Sequence, residues 1–185
     1  RDQLRDRLAH PAPAANGTPG TPAPAKALPL VTYNGKVTFH LNSEEVEAIP
    51  VVVAHTDGDT LVRFTNADIL MTGDYFRSVG YPNIDRANGG TLQGMLDGLG
   101  FTIGLAGPST KIIPGHGPIV DRAFVTAHRD MILTLRDRVA RLVQEGKTLQ
   151  EVTAAKLTTE FDSKVAQPGT TGERFIGQRY AELKK

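Results

Sequence analysis

The sequence of 185 residues contains no cysteine and no tryptophan, and the first of these absences limits its chemistry. Without cysteine the chain cannot form disulfide bonds, a thiolate zinc site or a cysteine nucleophile. Any metal site must therefore be built from histidine and carboxylate side chains. The compartment stays undetermined between periplasm and cytoplasm, because proteins of either compartment can dispense with disulfides.

An excess of charge of one sign is also lacking. The chain has 21 Lys and Arg residues against 20 Asp and Glu residues, which gives a formal net charge of +1. This balance argues against a nucleic-acid or acidic-membrane partner bound through bulk electrostatics. Long apolar runs are missing too, since none approaches the roughly 18–20 residues that span a bilayer. We therefore expect neither nucleic acid nor membrane among the partners.

Composition divides the chain into three segments. Residues 1–10 start without an initiator methionine or a signal-type apolar stretch, and Leu4 and Leu8 have helical spacing. We expect this segment to be the tail of a preceding helix in a larger protein. Residues 11–29 contain six prolines, which remove backbone donors and predict an extended loop rich in Pro and Gly. Residues 30–185 carry the strand and helix signals of a folded domain.

Within residues 30–185 the signals for strands come first and those for helices later. The pair Asn34-Gly35 predicts a hairpin turn, because both residues tolerate positive φ. Apolar and β-branched runs predict strands at 37–41, 46–54, 61–64, 69–71 and 111–113. Helical spacing and capping residues predict helices at 91–106, 123–145, from Thr148 onward, and at 175–183. The mixture indicates an α/β fold.

Three polar residues follow predicted strands, each with a glycine within three positions. His55 comes after the apolar run 51–54, Asp74 after the run 69–71, and His116 after the run 111–113. Imidazole nitrogen and carboxylate oxygen are suitable ligands for zinc or a similar divalent ion. Each residue alone has an ordinary structural explanation, as a hydrogen-bonded histidine or a turn-capping aspartate. Their joint pattern favours metal ligation.

The order His55-Thr-Asp-Gly-Asp, then Thr72-Gly-Asp74, then Pro114-Gly-His-Gly117 resembles the second half of the metallo-β-lactamase-fold hydrolases. The resemblance implies an α/β fold that is the C-terminal half of an αββα sandwich, a β-sheet flanked by helices. It implies that His55 binds the first zinc ion, that His116 binds the second, and that Asp74 bridges the two and is catalytic. In this family a hydroxide held by up to two zinc ions attacks an ester, amide, lactam or similar bond of a small-molecule substrate.

The first motif of that family, His-x-His-x-Asp-His, is missing from the sequence. The five histidines stand at positions 10, 40, 55, 116 and 128, so no two are close enough to form it. The zinc site is therefore incomplete, and we expect the chain alone to be inactive. Two interpretations remain open. The chain is either one part of a hydrolase completed by an N-terminal fragment or partner chain, or a truncated, non-catalytic binding or assembly module. We favour the first, because all three candidate ligands are present.

The loop expected at residues 75–90 is similar in placement to the substrate-binding loop of class B β-lactamases. This similarity makes Arg77 and Asn83 candidates for contacting a carboxylate or oxyanion of the substrate. The alternative is a turn-rich loop whose Asn and Asp side chains bond its own backbone. Asp57 and Asp59 likewise could either orient His55 or cap the turn that follows it.

Overall fold

The computed structural model describes residues 1–14, 16–51 and 53–184. Its five strands are β1 (Val37–Leu41), β2 (Glu44–Pro50), β3 (Thr60–Phe64), β4 (Ile69–Arg77) and β5 (Lys111–His116). Its six α-helices are α1 (Asp2–Ala9), α2 (Leu92–Leu105), α3 (Arg122–Gln144), α4 (Leu149–Ala154), α5 (Thr159–Asp162) and α6 (Gly172–Leu183). Two short 3₁₀ helices lie at Ala25–Ala27 and Arg86–Asn88.

The strands form one sheet in the order β1-β2-β3-β4-β5. Strands β1 to β4 pair antiparallel with one another, whereas β5 runs parallel to β4. A parallel pair needs a crossover connection, and α2 provides it. The carboxyl ends of β4 and β5 therefore meet at one edge of the sheet. This edge receives the residues that follow each of the two strands.

One face of the sheet is covered by helices. Leu61, Leu70 and Ile112 point to this face from β3, β4 and β5 and are at most 2% exposed. The helices contribute buried apolar side chains to the same core: Met95 and Leu99 from α2; Val125, Ile132, Leu135 and Val139 from α3; Phe175 and Ile176 from α6. Burying apolar surface in this way is the main stabilising contribution to such a layer.

The opposite face of the sheet is apolar as well, but it is partly open to solvent. Side chains alternate between faces along a strand, so the cross-strand partners of a residue share its face. Two charged residues, Glu44 and Lys111, lie at its margins. The apolar members of this face are Val37, Phe39, Leu41, Val46, Ala48, Val62, Phe64, Ile69, Met71 and Ile113. Phe39 is 44% exposed and Leu41 is 59% exposed. We call this set the open sheet face.

The predicted helices are confirmed, including several of their ends. The Thr91 hydroxyl accepts a hydrogen bond from the Gly94 amide at 3.0 Å and starts α2. Thr148 and Glu151 form the predicted capping box of α4. Helix α5 was not predicted, because its four residues are too few to show a period. Among the described residues, no helix has the length and apolar character needed to cross a membrane.

The hairpin predicted at Asn34-Gly35 is wrong. In the described chain no strand precedes these residues, and Asn34 instead bonds the Asp2 carboxylate in α1. The tight hairpin lies between β1 and β2, where Asn42 and Ser43 have φ of 51° and 62°. Positive φ at both central residues is the mark of a turn whose twist matches that of the paired strands.

Candidate metal centre

The structure brings His55, Asp74 and His116 together at the carboxyl edge of β4 and β5. The His116 Nε2 atom lies 3.2 Å from Asp74 Oδ1. The His55 Nε2 atom lies 3.9 Å from Asp74 Oδ2. Each carboxylate oxygen of Asp74 therefore has its own imidazole neighbour. The three side chains come from separate parts of the sequence, so the parallel β4–β5 pair and the turn after β2 create this arrangement.

Two glycines determine how Asp74 is presented. The β4–β5 pairing shifts register on either side of Gly73, whose φ is 59°, and this irregularity turns the Asp74 side chain toward solvent. On the neighbouring strand, a Cβ atom at Gly115 would lie 2.2 Å from Asp74 Oδ1. Only glycine leaves room there for the carboxylate. The Asp74 side chain is 46% exposed and thus accessible to a ligand.

His55 is held by its second ring nitrogen. Its Nδ1–H donates a hydrogen bond to the Asn83 carbonyl oxygen at 2.7 Å, and only 15% of the side chain is exposed. A donor at Nδ1 leaves the Nε2 lone pair free on the side that faces Asp74. Metal-binding histidines are commonly oriented in this way by a backbone carbonyl.

His116 stands at the end of β5 with 53% of its side chain exposed. Its position is fixed mainly through the backbone, because the Ser78 amide donates to the His116 carbonyl at 2.9 Å. The Ser78 hydroxyl also donates to the Pro118 carbonyl at 2.8 Å. The residues after β4 thus hold the turn that carries His116.

Gln178 in α6 is a positioning residue that the sequence reasoning missed. Its amide nitrogen donates to Asn83 Oδ1 and to the Ile84 carbonyl, each at 3.2 Å. These bonds hold in place the segment that contains Asn83. The Asn83 carbonyl oxygen in turn accepts the hydrogen bond from the His55 Nδ1–H. No local motif marks Gln178, since its role depends on a contact across 95 positions.

Arg77 and Asn83 lie near the site, but both are hydrogen-bonded to other residues of the chain. The Asn83 side chain bonds Gln178, and its backbone carbonyl bonds His55. Arg77 belongs to β4, not to a loop beginning at Tyr75, because Tyr75 and Phe76 are buried in the core. Its Nη1 atom donates to the Thr170 hydroxyl at 3.0 Å, while its buried Nε atom has no hydrogen-bond partner among the described residues.

The two aspartates after His55 cap and brace the turn and do not orient the imidazole. Asp59 accepts a hydrogen bond from the Thr56 amide at 3.0 Å, and Asp57 pairs with Arg7 of α1. The alternative in which they orient His55 is wrong, because the Asn83 carbonyl takes that role.

Helix α1 forms one wall of an open cleft at the site. Leu4 and Arg7 line this cleft of about 450 Å³ together with His55 and Asp74. Nothing in the local sequence of residues 1–10 indicated that they would approach the candidate ligands.

The described side chains fit one part of a dinuclear centre and do not complete it. Two donors on one tetrahedral zinc ion lie roughly 3.3 Å apart, given metal–ligand distances near 2.0–2.1 Å. The contact between His116 and Asp74 matches this separation, and the contact between His55 and Asp74 is longer. Within residues 1–14, 16–51 and 53–184, no three His, Asp or Glu side chains converge closely enough to hold a metal ion. Further donors are therefore needed.

Solved structures with a similar fold include an alkylsulfatase and two metallo-β-lactamases. The inverting sec-alkylsulfatase Pisa1 from Pseudomonas sp. is 19% identical with a TM-score of 0.68, over 90% of this chain and 28% of its own. The metallo-β-lactamase from Pontibacter korlensis is 18% identical with a TM-score of 0.50, over 58% of this chain and 50% of its own. The B3 metallo-β-lactamase BLEG-1 is 21% identical with a TM-score of 0.51, over 70% of this chain and 62% of its own.

These similarities establish the fold. No protein-family model matches the sequence, and no curated protein matches it either. The chain spans less than two thirds of each of the three solved proteins. The predicted fold class is confirmed: the chain has half of a metallo-β-lactamase-like fold, a five-stranded sheet with helices packed on it.

Proposed function

We propose that this chain carries part of the active site of a zinc-dependent hydrolase, with His55, Asp74 and His116 as metal ligands. The observation that carries the proposal is the Asp74 carboxylate between two imidazoles, one near each of its oxygens. Bound zinc would supply Lewis acidity toward a carbonyl, phosphoryl or similar centre and would lower the pKa of water from 15.7 to about 7.

The protein residues contribute position and charge. The Asn83 carbonyl holds His55 in the tautomer whose Nε2 atom can bind a metal, and Gln178 holds Asn83. Asp74 supplies negative charge between the two histidines, in a place that Gly115 keeps clear. Together these contacts prepare the ligands before a metal arrives, which reduces the cost of ordering them.

We propose that the remaining ligands come from a second layer that covers the open sheet face. That face places apolar residues of five strands side by side, and exposed apolar patches of this kind mark interaction surfaces. An N-terminal fragment or partner chain with a second β-sheet would bury it and bring further donors to the same edge. This supports an active site shared between two parts.

We further propose that the substrate is a small molecule with an anionic group. Arg77 places a guanidinium three residues after Asp74, and its register partner on β5 is His116. Its buried Nε–H has no partner among the described residues. A buried donor without a partner is costly, so an anionic group that accepts from it would be favoured. Among the proteins of similar fold, one is named a sec-alkylsulfatase and two are named metallo-β-lactamases.

A non-catalytic assembly module is the second candidate, and the open sheet face supports it equally well. The two functions differ at Asp74. A module that only assembles needs no carboxylate between two histidines, whereas a hydrolase depends on it.

Zinc binding by the 185-residue chain tests the proposal. A small shift of the half-exposed Asp74 and His116 side chains toward His55 would bring the three donors onto one ion, with water in the remaining position. We therefore expect calorimetry and bound-metal analysis to detect weak zinc binding that Asp74→Asn reduces by tenfold or more, with smaller losses for His55→Gln and His116→Gln. His40→Gln is the matched control, since His40 is an exposed histidine on β1, and it should leave zinc binding unchanged. Equal zinc binding by the wild type and the Asp74→Asn variant would contradict the proposal and favour the assembly module.

A further inference from the structure

A cavity of about 250 Å³ lies between the first turns of α3, the residues that follow β4 and the residues around α5. Its walls are mostly apolar and include Phe124, Met131, Phe161 and Val165. Ligand sites in proteins usually measure about 300–1,000 Å³, so this cavity suits a small molecule. None of its described lining residues is an aspartate or a glutamate.

His128 gives the cavity a polar group that the protein does not use. Its ring contacts Phe76 edge-on at 5.3 Å, and in the described parts of the chain neither ring nitrogen has a hydrogen-bond partner. Burial lowers the pKa of His128 to about 4, so the ring is neutral at pH 7. A neutral imidazole keeps one N–H donor, which is available to a molecule in the cavity.

Lys164 adds a positive charge at the rim of the same cavity. The residue is exposed, and none of the described carboxylates lies within ion-pair distance of it. The neighbouring carboxylate of Asp162 accepts a hydrogen bond from the Tyr81 hydroxyl at 2.6 Å. The ammonium group is thus available to an anion from outside.

We infer that this cavity is a binding site for a short aliphatic monocarboxylate of about ten non-hydrogen atoms. The chain of the ligand would pack among the apolar walls, and its carboxylate would accept from Lys164 and from the His128 N–H. The cavity offers two hydrogen-bond donors, His128 and Lys164, and its described walls include no acidic residue. This combination favours an anionic headgroup over a cationic one. An apolar body with a few polar anchors is the usual composition of a small-molecule site.

The site is distinct from the metal-ligand set. The cavity shares Ser78 with the turn that carries His116, but the open cleft beside His55 and Asp74 is lined by other residues. The inference therefore does not depend on zinc binding or on hydrolysis, and it can fail without affecting the proposed function.

Octanoate and 1-octanol, added to the metal-free chain, are suitable probes. Calorimetry should give an octanoate Kd on the order of 0.1 mM, as expected for ten atoms of modest ligand efficiency. Ala127→Leu fills the cavity from α3 and should weaken both probes by tenfold or more. Lys164→Gln should weaken octanoate by about threefold and leave octanol unchanged, since an exposed ion pair contributes little. Lys26→Gln, a change at an exposed lysine of the proline-rich segment, is the matched control.

The position of the ligand is read from the histidine ring signals in NMR spectra. Octanoate should shift the signals of His128 and leave those of the exposed His40 in place. The inference is overturned if octanoate does not bind at millimolar concentration. It is also overturned if Ala127→Leu binds octanoate as the wild type does, or if Arg77→Gln abolishes binding while Ala127→Leu does not.

Discussion

The two faces of the sheet both carry large apolar side chains, in very different surroundings. On one face Leu61 and Ile112 are completely buried beneath α2 and α3. On the open sheet face Leu41 and Phe39 retain about half of their exposure although their chemistry is the same. A sheet face that is exposed to solvent normally carries polar side chains, which alternate along each strand with the apolar side chains of the core face. The contrast shows that the described chain covers one face of the sheet with helices and leaves apolar side chains of the other face exposed.

The candidate ligands lie at the edge shared by these two faces. Contacts from the covered side hold His55, through Asn83 and Gln178 of the segment packed on α6. On the open side, none of the described residues gives the Asp74 carboxylate a comparable supporting hydrogen bond. Helix α1 only lines the cleft beside it. In the function proposed above, one second layer would both cover the open sheet face and supply the further donors.

A matched pair of leucine substitutions should separate the two faces most strongly. Leu61→Ala leaves a cavity beneath the helices and should lower the free energy of unfolding by about 3 kcal/mol. Leu41→Ala removes a half-exposed side chain and should change it by less than about 0.5 kcal/mol. Chemical denaturation followed by circular dichroism measures both. Equal losses would show that the open sheet face is already packed in the isolated chain.

A pair of glycine substitutions in α2 tests how closely the covering layer approaches the segment that follows β2. A Cβ atom at Gly94 would lie 1.4 Å from the Val53 carbonyl oxygen, so Gly94→Ala should destabilise the chain by about 2 kcal/mol. Gly100 has no atom within 4 Å of such a Cβ, and Gly100→Ala should stabilise it by about 0.5 kcal/mol. Thermal unfolding of the two variants should shift in opposite directions. A neutral Gly94→Ala would mean that α2 can move away from the sheet.

The pH dependence of stability should report the imidazole of His128 in α3. Burial lowers the pKa of His128 to about 4 in the folded chain, against about 6.5 when unfolded. Between these values the unfolded chain binds the proton and the folded chain does not, so stability falls as the pH drops from 6.5 to 4. Lys164 is the other ionisable residue among the described walls of that cavity.

His128→Gln should flatten this slope, which urea unfolding measured at several pH values will show. His40→Gln serves as its control, because His40 is exposed and its substitution should leave the slope as it is. A slope that survives His128→Gln would assign the acid sensitivity to other groups.

Local sequence patterns predicted most of the secondary structure and the side chains that meet at the edge of the sheet. Thr91 and the Thr148–Glu151 capping box act through hydrogen bonds within a few residues, so their signals are visible in the sequence. The Asn34-Gly35 prediction was wrong because a hairpin needs a strand on both sides, and the described residues before the pair form none.

The supporting contacts of the candidate site could not be predicted in the same way. Gln178 contacts Asn83 although the two are 95 positions apart in the sequence. Arg7 contacts Asp57 although the proline-rich segment lies between them in the sequence. Likewise the irregular pairing at Gly73, which turns Asp74 outward, arises from the pairing of β4 with β5. Such features depend on tertiary packing and leave no periodic signal in one sequence.

The most direct test of the proposed ligand set is zinc anomalous diffraction from crystals of the chain grown with zinc. We expect anomalous peaks next to Asp74, with ligand distances near 2.0–2.1 Å to the Nε2 atoms of His55 and His116 and to the Asp74 oxygens. Peaks at the exposed His10 or His40 with none beside Asp74 would contradict the assignment of this edge as a metal centre.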